Sequence, residues 1–366
     1  MRATRTRIMS LFLTGVLAVG VTVAQASNVG AHVSGALGDN PALLGFAPVF
    51  TLAADVDAAI PGVSGLQSLI DEWYDEDTQQ LSIRLDFSSQ QKAEETMATL
   101  NKAISTLSNA QGSGITGITI GRVGLGATSA AATNAVDRSS VVADASTSSG
   151  FSGALDLTLS GLERVDAVVA IGVPIVKSVA FGASAKMSRF YAEEIAIKAT
   201  VEELQDDSDA AAPKSLYEVG EGLLFDAGLA LNLRYLQADV ALKDIGSVEW
   251  KAEQPPWDEE AAVGAVRVHD KPMHVAAGLV LKPFRSLDLS ARYDQNPMGS
   301  TVMRAEAAVR PVRWLTFKAG QVAVDGEPAY VTLGGGIRLW AFGLDAGIAA
   351  KDDVIVGGRA RLSIGF

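Results

Sequence analysis

Three histidines, His32, His269 and His274, are the first residues to test for chemistry. His269-Asp270 with His274 offers two imidazoles and a carboxylate, donors suited to a divalent metal. The spacing matches no dependable ligand pattern, so a pair of loop histidines is the better reading. Gly334-Gly335-Gly336 has the flexibility of a phosphate loop but lacks the following lysine and helix start. Glycines within a strand indicate a bulge or close packing instead. Gly121, Gly124 and Gly126 fail in the same way. No serine occupies a nucleophile-elbow context. The chain has no cysteine, which excludes thiolate catalysis and disulfides. Two acidic runs, Glu202-Glu203 with Asp206, Asp207 and Asp209, and Asp258-Glu259-Glu260, could hold divalent ions that bridge lipopolysaccharide. A solvated rim is the simpler reading. The expectation is therefore no catalytic residue, no cofactor, no metal site and no enzyme.

The remaining ionisable residues follow a pattern that is structural. From Ile115 onward apolar and polar residues alternate with period two. Phe225, Ala227, Leu229, Leu231 and Leu233 alternate with Asp226, Gly228, Ala230, Asn232 and Arg234. Met303, Ala305, Ala307 and Val309 alternate with Arg304, Glu306, Ala308 and Arg310. The uncharged set suits lipid. The other set mixes charges of both signs with Gly, Ala and Ser, as a crowded lumen would. The last strand puts Val354, Val356, Gly358, Ala360, Leu362, Ile364 and Phe366 on the lipid face, with Arg359 and Arg361 opposite. Chain ends are usually frayed and polar, so an aromatic terminus on an alternating strand points to a closing strand. Arg359, Arg361, Leu362, Ile364 and Phe366 are read as its barrel-closing signal, the feature a barrel-assembly machinery would engage.

Composition agrees. The chain is 48% hydrophobic with a mean hydropathy of +0.22, yet its apolar residues are dispersed, and after residue 26 no segment approaches the length of a transmembrane helix. A formal charge of −12 makes a poor nucleic-acid binder. Arg2, Arg5 and Arg7, the apolar run Leu11 to Val23 and Ala24-Gln25-Ala26 form a secretory signal peptide cleaved after Ala26.

The domain organisation expected is a signal peptide (1–26), an N-terminal hatch with the first strand or strands (27–60), a helical insertion (61–113) and a β-barrel (114–366). Two amphipathic stripes support the insertion: Val63, Leu66, Leu69, Ile70 and Trp73, then Ala93, Met97, Leu100, Ile104 and Leu107. Ser88 and Gln91 suit the start of the second, and Gly112 its end. An internal repeat, Leu281–Leu289 against Val309–Phe317, places Pro283 and Pro311 at equivalent turns. Short basic turns near Pro174, Arg234, Pro283, Pro311 and Leu339 read as periplasmic, and the acidic loops read as external. Ten strands fit after residue 179. The fold expected is an all-β transmembrane antiparallel barrel of about 14 strands, within a range of about 12 to 14. Its small α-helical insertion is expected to pack in or below the lumen. Its place would be the outer membrane of a Gram-negative bacterium, in contact with lipid and lipopolysaccharide.

Asp39-Asn40-Pro41-Ala42-Leu43-Leu44 resembles the Asn-Pro-Ala segment near the mature N-terminus of the FadL-like outer-membrane barrels. That group includes long-chain fatty acid transporters and the PorV-type proteins. The later order is Gly172-Val173-Pro174 ahead of Val179–Lys186, then Ala241–Ile245, then terminal Phe366. It looks most like the barrel family labelled conjugal transfer protein TraF. The resemblance implies a conduit for hydrophobic small molecules, with an N-terminal segment in the lumen and a lateral opening in the wall. Asn40, Pro41 and Ala42 would then form the hatch. Trp73, Leu100, Trp250 and Trp257 would contact a hydrophobic ligand in an apolar pocket. The alternative it implies is a secretion or conjugal-transfer accessory barrel whose external loops dock a partner.

Overall fold

In hydrocarbon every backbone N–H and C=O must find an internal partner, so alternating strands persist there only as a closed ring. The computed structural model describes residues 35–47, 49–60, 74–75, 80–81, 91–92, 95, 98, 110–140, 142–143, 151–200, 203, 214–254, 266 and 273–365. It forms a closed antiparallel barrel of fourteen strands. They are β1 (Phe50–Ala59), β2 (Gln111–Ile120), β3 (Val123–Asp137), β4 (Ala154–Val176), β5 (Val179–Thr200), β6 (Lys214–Asn232) and β7 (Leu236–Ala252). They continue as β8 (His274–Phe284), β9 (Leu287–Gln295), β10 (Thr301–Val312), β11 (Leu315–Val324), β12 (Glu327–Leu339), β13 (Phe342–Lys351) and β14 (Val354–Gly365). Each strand pairs with its neighbours in sequence, and β1 joins β14 in register from Thr51↔Gly365 to Ala59↔Gly357.

The outward face is apolar where lipid requires it. Along β4 the odd-numbered residues from Val165 to Ile175 are all aliphatic and, apart from Ala167, belong to the exposed large hydrophobic set. Ten steps of about 3.3 Å on a strand tilted about 40° span roughly 25 Å, the height of a barrel's apolar band. On β5 the band runs from Val179 to Met187, which is 67% exposed. It ends at Arg189, whose outward guanidinium meets Glu221 of β6 at 3.5 Å. Above that level β4 to β7 stand proud of the membrane.

Every connection at the end shared with the C-terminus is short. Pro283 and Pro311 lie at matching register shifts, between Leu281 and Phe284 and between Val309 and Val312, where the ladder skips a residue and proline's missing N–H is harmless. The opposite end carries the longer connections. There Asp325-Gly326 and Asp352-Asp353 turn with positive φ (51° and 87°, 50° and 64°), the geometry of tight hairpins.

Two expectations need correction. The terminal strand alternates as read from Gly357 on, but a bulge against Ala349 and Ala350 turns Ile355 outward and Val356 inward, where it joins a lumenal cluster with Val302, Val322 and Tyr330. Gly112 does not end a helix; it lies inside β2, paired with Ala131. The connection containing the expected insertion leaves β1 at Ile60 and returns at Ala110, both at the external end, and the packing expected of it lies outside the described residues. Within it Gln91, Lys92, Glu95 and Ala98 are helical, and Gln91 Nε2 donates to Glu95 Oε1 at 2.9 Å. The signal peptide, Trp73, Leu100, Trp257 and Phe366 lie outside the described residues.

A closed barrel resists detergent unfolding until heated. We expect the unheated protein to migrate faster than the boiled protein in gel electrophoresis; equal mobility would contradict closure.

Candidate functional site

Inside the barrel, among the described residues, sits the N-terminal segment. It forms one π-helical turn (Gly35–Asp39) and a 3-10 helix (Pro41–Phe46). Asn40 organises both. Its backbone is extended (φ −151°), its Oδ1 caps the 3-10 helix by accepting from Ala42 N at 2.9 Å, and Pro41 supplies a preset first helical position. The Asn40 amide, fully buried, donates to Leu229 O at 3.1 Å, Val240 O at 3.0 Å and Asp239 Oδ1 at 3.3 Å. A buried amide left unpaired costs about 1–3 kcal/mol, so these bonds fix the segment on the β6–β7 wall. Leu37, Leu43 and Leu44 pack with Ala53, Val168, Ala170 and Ala230. Wall glycines make the dock: a Cβ at Gly182 would strike Pro41 and Ala42, and one at Gly228 would strike the Asn40 side chain. The sequence-expected hatch residues Asn40, Pro41 and Ala42 are thus brought together in the lumen.

Above the hatch lies a network of paired charges. Arg164 (β4) bonds Asp166 at 2.7 Å and Asp244 at 2.8 Å. Lys186 (β5) bonds Asp226 and Asp244, each at 2.6 Å. His274 (β8) has Nε2 3.0 Å from Asp294 and Nδ1 3.6 Å from Asp244. Lys243 (β7) joins Asp294 at 3.0 Å to the hatch carbonyl of Gly38 at 2.9 Å. Arg292 reaches Asp39 of the hatch at 3.3 Å and Asp239 at 3.5 Å. A local irregularity makes this possible. Asp244 has φ 61° beside a register shift between Phe225 and Ala227, so Lys243 and Asp244 both point inward. Charges buried at this depth are tolerated because each is paired.

A cavity of about 720 Å³ lies between the hatch and the opposite wall. It is lined by Asp55, Asp57, Arg304, Glu306, Lys318, Asp345, Arg359 and Arg361 together with Leu37, Leu43 and Ile115. Asp55 of β1 is gripped by both Arg359 and Arg361 of β14, and Asp57 by Arg304 of β10 at 3.4 Å. Gly278, Gly334 and Gly347 also line it, and at Gly278 the Asp239 carboxylate lies where a Cβ would be. The cavity wall mixes these charged side chains with apolar ones, where the sequence led us to expect an apolar pocket. Trp250 does not line it. That residue lies on β7, its ring 5.6 Å from Phe190, in a closed apolar cluster with Leu162, Leu224 and Val266.

The cavity borders a seam where, among the described residues, ladder pairing lapses. β1 and β2 run side by side yet pair only at Phe50↔Ile120, beside Gly121 N donating to Val49 O at 2.7 Å. At the external end Gln111 Nε2 reaches Tyr330 Oη at 2.9 Å. That bond ties β2 to β12 and not to β1; beyond Phe50↔Ile120 the facing edges carry small residues, among them Ala54 and Ala58 on β1 and Gly112, Ser113 and Gly114 on β2. No sequence signal marked this seam, because Gly112 read equally well as a helix stop.

These features define a transmembrane antiparallel β-barrel partly closed by its own N-terminal segment. No protein-family model and no curated protein matches the chain. Among solved structures it is similar to a TodX deltaS2S3 mutant, a monoaromatic hydrocarbon channel, at 13% identity, covering 95% of this chain and 97% of that one, with a TM-score of 0.49. The Ralstonia pickettii toluene transporter TbuX is 13% identical over 91% of this chain and 97% of its own, with a TM-score of 0.44. A Pseudomonas aeruginosa FadL homologue is 10% identical over 91% and 94%, with a TM-score of 0.38. Likenesses of this strength carry no argument about function, which rests on the geometry of this chain.

Two variants test the dock. Gly182→Val should leave the barrel heat-modifiable but displace Pro41 and Ala42, raising single-channel conductance in a planar bilayer. Asn40→Ala should raise it too and cost about 1–3 kcal/mol through the lost cap and wall bonds. Conductance unchanged in both variants would mean that the segment does not control the lumen.

Proposed function

We propose that this protein is an outer-membrane conduit that passes hydrophobic small molecules from outside into the bilayer through its wall. The observation that carries the reading is the seam between β1 and β2, unpaired along most of its length and opening onto the lumenal cavity beside a docked hatch. A hydrophobic solute crosses the lipopolysaccharide layer only at a cost, because that surface is polar. Returning it sideways to hydrocarbon regains about 0.8 kcal/mol per methylene. The geometry suits sideways release. The hatch, anchored by Asn40, Lys243 and Arg292, obstructs passage straight through, while the seam's small side chains yield the widest gap for the least displacement. The hatch contributes Leu37 and Leu43, and β2 contributes Ile115, as the apolar part of the path. The network of paired charges keeps the rest of the lumen wet. We place the mature protein in the outer membrane of a Gram-negative bacterium after removal of a leader ending at Ala26, with assembly through its C-terminal strand.

The test uses the absence of native cysteine. Continuing the Phe50↔Ile120 register sets Ala54 opposite Thr116 across the seam. An Ala54→Cys, Thr116→Cys double variant should take up labelled hydrophobic compounds (fatty acids and toluene among them) slowly when oxidised and normally when reduced. Uptake indifferent to the disulfide would show that cargo does not leave between β1 and β2.

A further inference from the structure

Higher in the lumen the charges balance. Arg304, Arg359 and Arg361 face Asp55, Asp57 and Glu306. The rim shared with the C-terminus departs from that balance. From β10 to β12 it carries four cations, Arg310, Arg313, Lys318 and Arg338, against two carboxylates. Asp288 (β9) is held by Arg310, and Asp345 (β13) by Lys318 at 2.8 Å. Arg313 and Arg338 have no ion pair or hydrogen bond among the described residues. Arg338 feels Asp345, which Lys318 already holds, and Arg310, which repels it. The three arginines converge on one cleft, walled also by Thr316 and Gly336. Arg310 and Asp345 line the large cavity as well, so the cleft continues that cavity to the rim.

Such a cleft draws anions. Low-dielectric walls concentrate the field of like charges, and a guanidinium meets phosphate oxygens two at a time. Two tryptophans set its height. The β10–β11 turn reads Arg313-Trp314 and the β12–β13 turn follows Arg338 with Leu339-Trp340, and both rings are exposed. Leu339 and Phe342 beside them are exposed too. Exposed tryptophans at a barrel's rim lie at head-group level. The two arginines without an ion pair therefore stand where lipid phosphates are.

We propose that this cleft binds a phosphate group, supplied by an anionic phospholipid of the adjacent leaflet. The phosphate lies between Arg313 and Arg338 with Arg310 behind it, and the acyl chains run down the outer wall beside Trp314 and Trp340. A zwitterionic head group would bring its ammonium into the same excess of positive charge, so the site selects a lipid that carries net negative charge. Which leaflet this is follows from the outer-membrane placement proposed above; the phosphate site does not depend on the lateral exit.

The test is lipid binding. The protein in a neutral maltoside detergent is mixed with phosphatidylglycerol and phosphatidylethanolamine of identical acyl chains, and bound lipid is counted by native mass spectrometry. We expect phosphatidylglycerol to bind about tenfold more tightly, the scale of one or two arginines at a lipid phosphate. An Arg313→Gln, Arg338→Gln double variant should bind the two lipids alike. Arg122→Gln with Lys177→Gln removes two exposed cations from turns across the same rim and should leave the preference intact. Heat-modifiable migration checks assembly. If the first double variant fails to assemble, Arg313→Gln alone, in an exposed turn, should still lower the preference. Three results overturn the proposal: wild type binding both lipids alike, a preference that survives in the assembled double variant, or an equal loss in the control, which would mean diffuse charge and no site. Inorganic phosphate as competitor separates the sources. Displacement of the lipid only at large excess assigns the cleft to a lipid head group, whereas displacement at matching concentration assigns it to free phosphate and rejects the lipid. No lipid preference alongside uptake that responds to the cross-seam disulfide would reject this site and leave the conduit standing.

Discussion

Backbone groups in hydrocarbon have no water to fall back on, and that constraint shapes every part of this molecule. It closes fourteen strands into a ring and confines the turns and the prolines of those strands to the two rims. One boundary departs from it. Between Phe50 and Ala59 the strand is laddered to β14 along its length, while its other edge meets β2 at a single pair. Exposed strand edges at membrane depth are tolerated only where they face protein or a wet cavity, and the lumenal cavity lies directly behind this one. Asp55 and Asp57 strengthen the asymmetry. Their arginines come from β14 and β10, so β1 is held firmly to one side and loosely to the other.

The same economy governs the interior. A charge buried without a partner costs several kcal/mol, so the lumen of this barrel is built from charges that satisfy one another. The chain from Asp166 through Arg164, Asp244, His274 and Asp294 to Lys243 ends on a backbone carbonyl of the hatch. Hatch position and wall geometry are therefore coupled: moving Gly38 away from Lys243 disturbs a carboxylate that also contacts His274. Asn40 makes the coupling stronger, since one side chain both caps the 3-10 helix and bonds two wall carbonyls.

Much of this was legible in the chain. Alternation located the strands from β4 onward, because lipid on one side and water on the other leave few ways to arrange period-two segments. The prolines of the repeat marked equivalent rims. Asn40-Pro41 was conspicuous by resemblance, and the cap and first-turn chemistry explain why those residue types occur there. What could not be read depends on departures from alternation. A strict period sends one of Lys243 and Asp244 to lipid; only a bulge with a left-handed aspartate brings both inside. Val356 changes sides for a similar reason. Glu306 was visible as an inward charge, but whether its neighbours on other strands answer it is a question of register across the sheet. The cavity is lined by residues of many strands that meet only once the barrel closes. Trp250 was a candidate ligand contact by resemblance only, and its packing against Phe190 depends on which neighbours the register of β5 and β7 brings to it.

Amide hydrogen exchange in lipid nanodiscs tests the central claim most directly. Backbone groups locked in a ladder exchange slowly, and those at an open edge beside water exchange fast. If the wall has one unzipped seam, peptides covering 51–59 and 111–119 should exchange far sooner than those covering 179–188 or 302–310. Slow exchange in all four segments alike would mean that β1 and β2 are fully paired, and that the wall has no opening there.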